Sequence, residues 1–130
     1  MKLEHVKCES PMLHYESKIV EQLKGEVGFA QIHYYGVEGD YNCMVMDILG
    51  PSLLDLFTFC DQNFNLKTLV WIACEAIRRM ETLHSKNFIH RDIKPENFLI
   101  GHGKKANILY LIDFGLSKRY KCPKSDAHII

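Results

Sequence analysis

FIHRDIKPENFLI, residues 88–100, sets charged and amide side chains between two apolar runs, FI before them and FLI after. Apolar flanks of this kind usually enter a hydrophobic core, where an ionised group is costly unless it is paired or binds something. The polar residues between the flanks are therefore the first candidates for a functional site. They are His90, Arg91, Asp92, Lys94, Glu96 and Asn97.

The composition is that of an ordinary globular protein. The chain has 130 residues, 47% hydrophobic and 25% charged, which is one domain or a piece of a larger one. Because 16 Lys and Arg balance 16 Asp and Glu, no net charge favours nucleic acid or an anionic membrane. The five cysteines are odd in number and include no Cys-x-x-Cys pair, which indicates reduced thiols. We therefore expect a protein of the cytoplasm or the nucleus. No apolar run approaches the ~18 residues of a membrane span.

Hydrophobic periodicity and turn residues predict a mixed order of elements. In chain order these are a helix over 11–24, strands over 30–36 and 41–47, helices over 52–60 and 66–84, and strands over 98–100 and 108–113. Gly50 and Pro51 predict a change of direction between two halves of the chain. The tail from Lys118 is predicted to be irregular.

Residues 90–97 also match a known sequence motif. His90, Arg91, Asp92 and Asn97 fit H-R-D-x-x-x-x-N, the pattern of the protein kinase catalytic loop. In that scheme Asp92 accepts the proton of a substrate hydroxyl, Lys94 faces the transferred phosphate, and Asn97 supplies an oxygen to Mg²⁺. The alternative is a surface turn that is merely rich in charge.

A second motif follows one hairpin later. Asp113, Phe114 and Gly115 come directly after a predicted strand, where a kinase places the D-F-G whose aspartate holds Mg²⁺. The tripeptide alone is a weak signal, and its position after the first motif gives it weight. Mg²⁺ takes a few protein oxygens and keeps the rest of its shell for water and phosphate, so Asn97 and Asp113 are the predicted metal ligands.

Glu16 lies inside the apolar stripe of the first predicted helix. The other members of that stripe are Met12, Ile19, Val20 and Leu23. A carboxylate that faces inward needs a cation, and Lys2 stands just upstream. Kinases pair a strand lysine with a glutamate of the following helix, so we predict a Lys2–Glu16 ion pair. The alternative is a Glu16 at the rim of the stripe with its carboxylate in water.

The chain resembles the casein kinase 1 family of protein serine/threonine kinases along nearly its whole length. The matching runs are ESKI (16–19), EGDYN (38–42), LGPSLLDLF (49–57), HSKNFIHRDIKPENFLIG (84–101) and IDFGLSK (112–118). The resemblance implies an α+β, protein-kinase-like two-lobe fold with ATP and Mg²⁺ as cofactors. It also implies transfer of the ATP γ-phosphate to Ser or Thr of acidic or pre-phosphorylated proteins. From the balanced charge and the lack of a long apolar run, we expect no nucleic-acid or membrane partner.

The same resemblance assigns a nucleotide site, in which Lys2 and Glu16 orient the phosphates. Met46 becomes the gatekeeper beside the adenine, and Leu99 becomes the floor of the pocket. The backbone of Asp47 and of Leu49 is expected to bind adenine, with Ser52 and Asp55 near the ribose.

The differences from the family indicate how much of a kinase domain the chain contains. Only Met1 precedes Lys2, no Gly-x-Gly-x-x-Gly occurs, and the chain ends at Ile130, inside the expected activation segment. We therefore expect a kinase domain truncated at both ends. Residues 1–48 would be the remnant of the N-terminal lobe and hinge, and residues 49–130 the start of the C-terminal lobe. Alone, such a chain is expected to be inactive. The alternatives are a pseudokinase or protein-binding module without catalysis, and a piece of a longer, whole enzyme.

Overall fold

The computed structural model describes residues 1–128, which form three α-helices, eight strands and two short 3-10 helices, Pro95–Asn97 and Gly103–Lys105. The strands are Lys2–His5 (β1), Ile32–Glu38 (β2), Tyr41–Met46 (β3), Leu49–Ser52 (β4), Phe88–Ile89 (β5), Phe98–Gly101 (β6), Leu109–Leu111 (β7) and Lys118–Arg119 (β8). The helices are Leu13–Gln22 (α1), Leu53–Phe59 (α2) and Leu66–Ser85 (α3). The predicted helices and the predicted hairpin are confirmed, with ends that differ by at most two residues.

The first sheet has the order β1-β3-β2 and is antiparallel throughout. In its register Lys2 lies opposite Met44, and β2 and β3 form the predicted hairpin. Helix α1 packs against β2 and β3 through the apolar stripe that its sequence predicted. Strand β1 is paired on one side only, so that Lys2 lies at the edge of the sheet.

The second sheet has the order β4-β6-β7 and packs against the long helix α3. Asn65 caps α3, because its side-chain oxygen accepts a hydrogen bond from the N–H of Thr68 at 2.8 Å. An apolar cluster of buried residues joins α1 to α3 and to the second sheet. It contains Ile19, Val20, Leu23, Phe29, Leu53, Leu83, Phe88, Phe98, Leu109, Leu111 and Phe114.

Two hydrogen bonds connect the turn after α1 to α3 and to the second sheet. Nη1 of Arg79 donates a hydrogen bond to the carbonyl of Val27 at 2.7 Å, and the carbonyl of Gly28 accepts one from the N–H of Leu111 at 3.0 Å. Gly28 has a φ of +81°, and a Cβ there would lie 2.4 Å from the Arg79 side chain. Only glycine fits this turn, which brings α1 close to the second sheet.

One local prediction was wrong, and one helix begins a residue later than predicted. The helix expected over 52–60 begins at Leu53, because residues 49–52 form β4 and Ser52 caps the helix. The tail from Lys118 is not irregular at its start, because β8 pairs with β5, with Arg119 opposite Phe88. The Arg119 guanidinium lies 4.6 Å from the centre of the Phe88 ring, a contact that sequence periodicity does not reveal. The predicted tail also includes residues 129–130, which lie outside the described residues.

Among residues 1–128, no helix combines the length and the apolar character that crossing a membrane requires.

Candidate active site

An open cavity of about 530 Å³ lies between the two sheets. Its lining combines charged and apolar residues. They come from β1, α1 and β3 on one side, and from β4, β6, β7 and the segment before Phe114 on the other. These include Lys2, Glu16, Val20, Ala30, Met46, Asp47, Leu49, Leu99, Leu111 and Asp113. Charged groups at one end of a mostly apolar cavity are typical of small-molecule sites.

His90 holds the predicted catalytic loop in place and is 1% exposed. Its Nδ1 accepts a hydrogen bond from the N–H of Asp92 at 3.2 Å. Its Nε2 must therefore carry the proton, which it donates to the carbonyl of Ile112 at 2.8 Å. The buried imidazole thus ties Asp92 to the residue that precedes Asp113.

The carboxylate of Asp92 is held by its two motif neighbours. Its Oδ2 lies 3.1 Å from Nζ of Lys94 and accepts a hydrogen bond from Nδ2 of Asn97 at 3.2 Å. Asn97 Nδ2 also donates to the carbonyl of Asp92 at 2.9 Å. The hydrogen bond from Lys94 is the main cause that lowers the pKa of Asp92 below its ordinary value. Asp92 is therefore an ionised carboxylate in a set orientation.

Lys2 and Glu16 form the ion pair that the helical spacing, taken together with the two kinase motifs, predicted. Lys2 Nζ lies 2.6 Å from Oε2 of Glu16, and Glu16 is 3% exposed. Oε1 of Glu16 accepts a hydrogen bond from the N–H of Phe114 at 3.2 Å. Burial opposes the charge of Lys2, but the hydrogen bond and the charge of Glu16 outweigh it and raise the pKa of Lys2.

Asp113 lies beside the same lysine, with Oδ1 3.6 Å from Nζ of Lys2. The adjacent N–H of Ile112 donates to the carbonyl of Asn97 at 2.9 Å, so the two predicted metal-binding residues lie next to each other. Because Asn97 turns its NH₂ group toward Asp92, its amide oxygen is available as a ligand. An amide oxygen and a carboxylate suit Mg²⁺, which needs only one or two protein ligands. Residues 1–128 contain no cluster of three or more His, Cys, Asp or Glu that would suit another metal.

Two residues of the predicted motifs adopt the left-handed backbone conformation. Arg91 has a φ of 69° and Asp113 a φ of 64°. Such conformations cost about 1–3 kcal/mol for non-glycine residues and persist where surrounding contacts require them. Arg91 supplies one of these contacts, since its Nε donates a hydrogen bond to the carbonyl of Leu116 at 2.7 Å.

The residues assigned to adenine binding line the cavity, and the side chain of Asp47 is already engaged in hydrogen bonds. Its Oδ2 accepts a hydrogen bond from the N–H of Gln31 at 2.9 Å, and its Oδ1 lies 2.6 Å from Nε2 of His33. Its own N–H donates to the carbonyl of Gln31 at 3.0 Å. The carbonyl of Asp47 is therefore the group left to bind a ligand. Met46, Leu49 and Leu99 also line the cavity.

Ser52 and Asp55 are not among the residues that line this cavity. They form a capping box at the start of α2, in which Ser52 Oγ accepts from the N–H of Asp55 at 3.1 Å. Asp55 Oδ2 in turn accepts from the N–H of Ser52 at 3.0 Å. The structure therefore gives both side chains a part in the start of α2, and their expected position near the ribose stays a prediction.

Sequence reasoning missed two contacts around α1. Glu4 Oε2 accepts hydrogen bonds from the N–H groups of Met12 and Leu13, and the Tyr15 hydroxyl donates to the carbonyl of Ser117 at 2.9 Å. The only available signal for Glu4 was its place two residues after Lys2, on the same face of a strand. Nothing in the sequence pattern indicated the contact between Tyr15 and Ser117.

The site thus places an ion-paired lysine beside the carboxylate of Asp113, in the lining of a cavity of about 530 Å³. A family model described as "Protein kinase domain" matches residues 1–129. Because the match extends over nearly the whole chain, the protein belongs to the protein kinase domain family.

Proposed function

We propose that this domain is a protein serine/threonine kinase of the casein kinase 1 type. Its proposed reaction transfers the γ-phosphate of Mg-ATP to Ser or Thr of acidic or pre-phosphorylated proteins, in the cytoplasm or the nucleus. The observation that supports this most directly is the position of Lys2, which contacts both Glu16 and Asp113 at the end of the cavity. A lysine held there by one carboxylate is placed to bind the phosphates of ATP.

The apolar part of the cavity is proposed to hold adenine. Met46 and Leu99 would contact the faces of the base, while the carbonyl of Asp47 and the backbone of Leu49 accept or donate hydrogen bonds at its edge. This arrangement directs the phosphates toward Lys2. Positioning of this kind supplies much of the catalysis of phosphoryl transfer.

Asn97 and Asp113 are the proposed ligands of Mg²⁺. An ion held by these two residues would offset the negative charge of the ATP phosphates, including the charge that develops during transfer. The contact between Ile112 and Asn97 holds these two side chains next to each other before any ligand arrives.

Asp92 is proposed to accept the proton of the substrate hydroxyl. The hydroxyl oxygen forms a bond to the γ-phosphorus, the bond from that phosphorus to the bridging oxygen of ADP breaks, and the proton passes to Asp92. Because Lys94 and Asn97 lower the pKa of Asp92, it is a weak base. Its main contribution is then to orient the hydroxyl, while Lys94 lies beside the phosphate that is transferred.

The proposed preference for acidic substrates follows from the resemblance to casein kinase 1. Positive charge in the segment that begins at Lys118 supports it. Lys118 and Lys124 are exposed, whereas Lys121 is paired with Asp126 at 2.6 Å. The two exposed lysines are therefore candidates to contact acidic or phosphorylated side chains.

Binding of Mg-ATP to the 130-residue chain is the first test. We expect Mg²⁺-dependent binding in calorimetry that is lost in Asp113→Ala and kept in Glu81→Ala, which removes an exposed carboxylate of α3. Equal affinities with and without Mg²⁺ in the unmodified chain would contradict the proposal.

Turnover is the second test. In the 130-residue chain, which contains no Gly-x-Gly-x-x-Gly, we expect no more phosphorylation of casein than in Asp92→Asn. A chimera in which a glycine-rich hairpin and the C-terminal helices of a casein kinase 1 flank this chain should phosphorylate casein in an Asp92-dependent manner. Tight Mg-ATP binding without transfer in that chimera would favour a protein-binding module instead.

A further inference from the structure

Helix α1 begins without a cap of its own. Met12 occupies the position before the first helical residue, and its side chain makes no capping hydrogen bond. Glu4 of β1 supplies that function from outside the helix. Its Oε2 accepts hydrogen bonds from the N–H of Met12 at 2.8 Å and from the N–H of Leu13 at 3.0 Å. A carboxylate at this end of a helix also interacts favourably with the helix dipole.

Glu4 and Lys2 face the same helix from the same strand. Side chains two residues apart on a strand point to one face and lie about 6.7 Å apart. On α1 their partners, the N–H groups of Met12 and Leu13 and the carboxylate of Glu16, are separated by about one turn, or about 5 Å. The two spacings match closely enough for β1 to hold α1 at two points. A helix held at a single point can tilt about that contact, whereas a second contact one turn away opposes this tilt.

We propose that Glu4 is a positioning residue, which fastens the first turn of α1 to β1 and thereby holds Glu16 against Lys2 and the N–H of Phe114. The effect on nucleotide binding rests on the proposed function, whereas the effect on Glu16 does not. The hydrogen bond from the N–H of Met12 is the main cause that lowers the pKa of Glu4, so the carboxylate is ionised at neutral pH.

Hydrogen exchange at the amide of Phe114 is the test that needs no nucleotide. This amide donates to Oε1 of Glu16, is far from Glu4 in sequence, and belongs to a residue that is 3% exposed. In the full chain, Glu4→Ala should accelerate its exchange on the order of tenfold, within the range expected for loss of a helix cap. Faster exchange at Met12 and Leu13 with no change at Phe114 would reduce Glu4 to a local cap and overturn the proposal.

Three further variants make the exchange test specific. Glu4→Gln keeps a carbonyl oxygen that can accept both hydrogen bonds, and it should restore most of the protection at Phe114. Glu9→Ala removes an exposed carboxylate from the segment between β1 and α1, and it should leave the protection at Phe114 unchanged. If Glu4→Ala does not fold, Glu4→Asp decides the question, because its shorter side chain should still accelerate exchange at Phe114. Full protection in Glu4→Asp would overturn the proposal.

A double-mutant cycle on Mg-ATP affinity tests whether Glu4 acts through Glu16. Residues that act through one another have non-additive effects, and independent residues have additive ones. Glu4→Ala should weaken binding several-fold in the unmodified chain and change it little when Glu16→Gln is already present. Additive losses would show that Glu4 does not act through Glu16. If the unmodified chain binds no Mg-ATP, the proposed function fails, and the exchange at Phe114 still decides the role of Glu4.

Discussion

Glu16 of α1 accepts a hydrogen bond from the backbone N–H of Phe114, a residue 98 positions later in the chain. The second oxygen of the same carboxylate binds Lys2 at 2.6 Å. One buried side chain therefore connects the strand that carries the lysine, the helix α1 and the D-F-G segment. Any change that removes Glu16 or its cation should affect stability and ligand binding together.

Lys2→Met should destabilise the protein and abolish Mg-ATP binding. The substitution keeps an apolar stem of similar length but leaves the buried carboxylate of Glu16 without its cation. An unpaired buried acceptor costs about 1–3 kcal/mol, and a charged one costs more. We expect a lower midpoint in urea denaturation and no calorimetric binding of Mg-ATP. Lys24→Met, at an exposed lysine after α1, is the matched control. Identical behaviour of the two variants would exclude a role for Lys2.

Asp113→Ala should remove the Mg²⁺ dependence of ATP binding, with a milder effect in Asn97→Ala. Asp113 offers a full carboxylate beside Lys2, whereas Asn97 offers only a neutral amide oxygen. The measurement is ATP affinity across a Mg²⁺ titration. Retention of the full Mg²⁺ dependence in both variants would rule out the proposed ligands.

Asp92→Asn should leave ATP affinity intact while phosphoryl transfer by the chimera falls by about 10²–10⁴-fold. Because the pKa of Asp92 lies below its ordinary value of 3.8, it remains ionised at the pH of any kinase assay. Its protonation should therefore produce no acidic limb above roughly pH 5 in the rate profile. Near-normal transfer by Asp92→Asn would remove Asp92 from the mechanism.

Glu75→Ala should strongly destabilise the fold, although Glu75 lies outside the cavity. Its Oε2 accepts a hydrogen bond at 2.6 Å from Nη2 of Arg79, whose side chain is 6% exposed. The Nε of Arg79 already lacks a partner among the described residues. Removing one member of a buried ion pair typically costs about 3–5 kcal/mol. Chemical denaturation should show this loss, and Glu81→Ala on the same helix should not.

The same pair predicts a dependence of stability on pH. The hydrogen bond from Arg79 is the main cause that lowers the pKa of Glu75 from its ordinary value of 4.5. The ionised carboxylate therefore stabilises the fold above that value, and its contribution is lost as the pH falls through the lower, native pKa. Below about pH 4.5, the unmodified chain should lose stability more steeply than Glu75→Gln. Parallel stability curves for the two proteins would contradict this assignment.

Local sequence patterns predicted the features that depend on neighbouring residues. The helical spacing placed Glu16 within the apolar stripe of α1, and the periodicity of 66–84 predicted α3 almost to its ends. These features were accessible because a helix repeats every 3.6 residues, whatever it packs against. The motif spacing likewise indicated Asp92, Asn97 and Asp113, whose order in the chain is part of the pattern.

Other features required the tertiary structure. Strand β8 pairs with β5, Arg79 reaches Val27, and Glu4 caps α1, and each contact joins residues with no periodic relation in the sequence. Ser52 and Asp55 show the same limit. The family resemblance assigned them to the ribose and gave no indication of the capping box that they form.

By itself, then, the sequence determined the family resemblance, the main helices and the residues that can carry the chemistry, because these depend on residue type and local spacing. Only the tertiary structure decided how β1 holds α1, which groups line the cavity and which side chains serve as caps. The physical reason is that hydrogen bonds between distant segments depend on how the whole chain packs, and a buried donor or acceptor takes whichever partner that packing brings within about 3 Å.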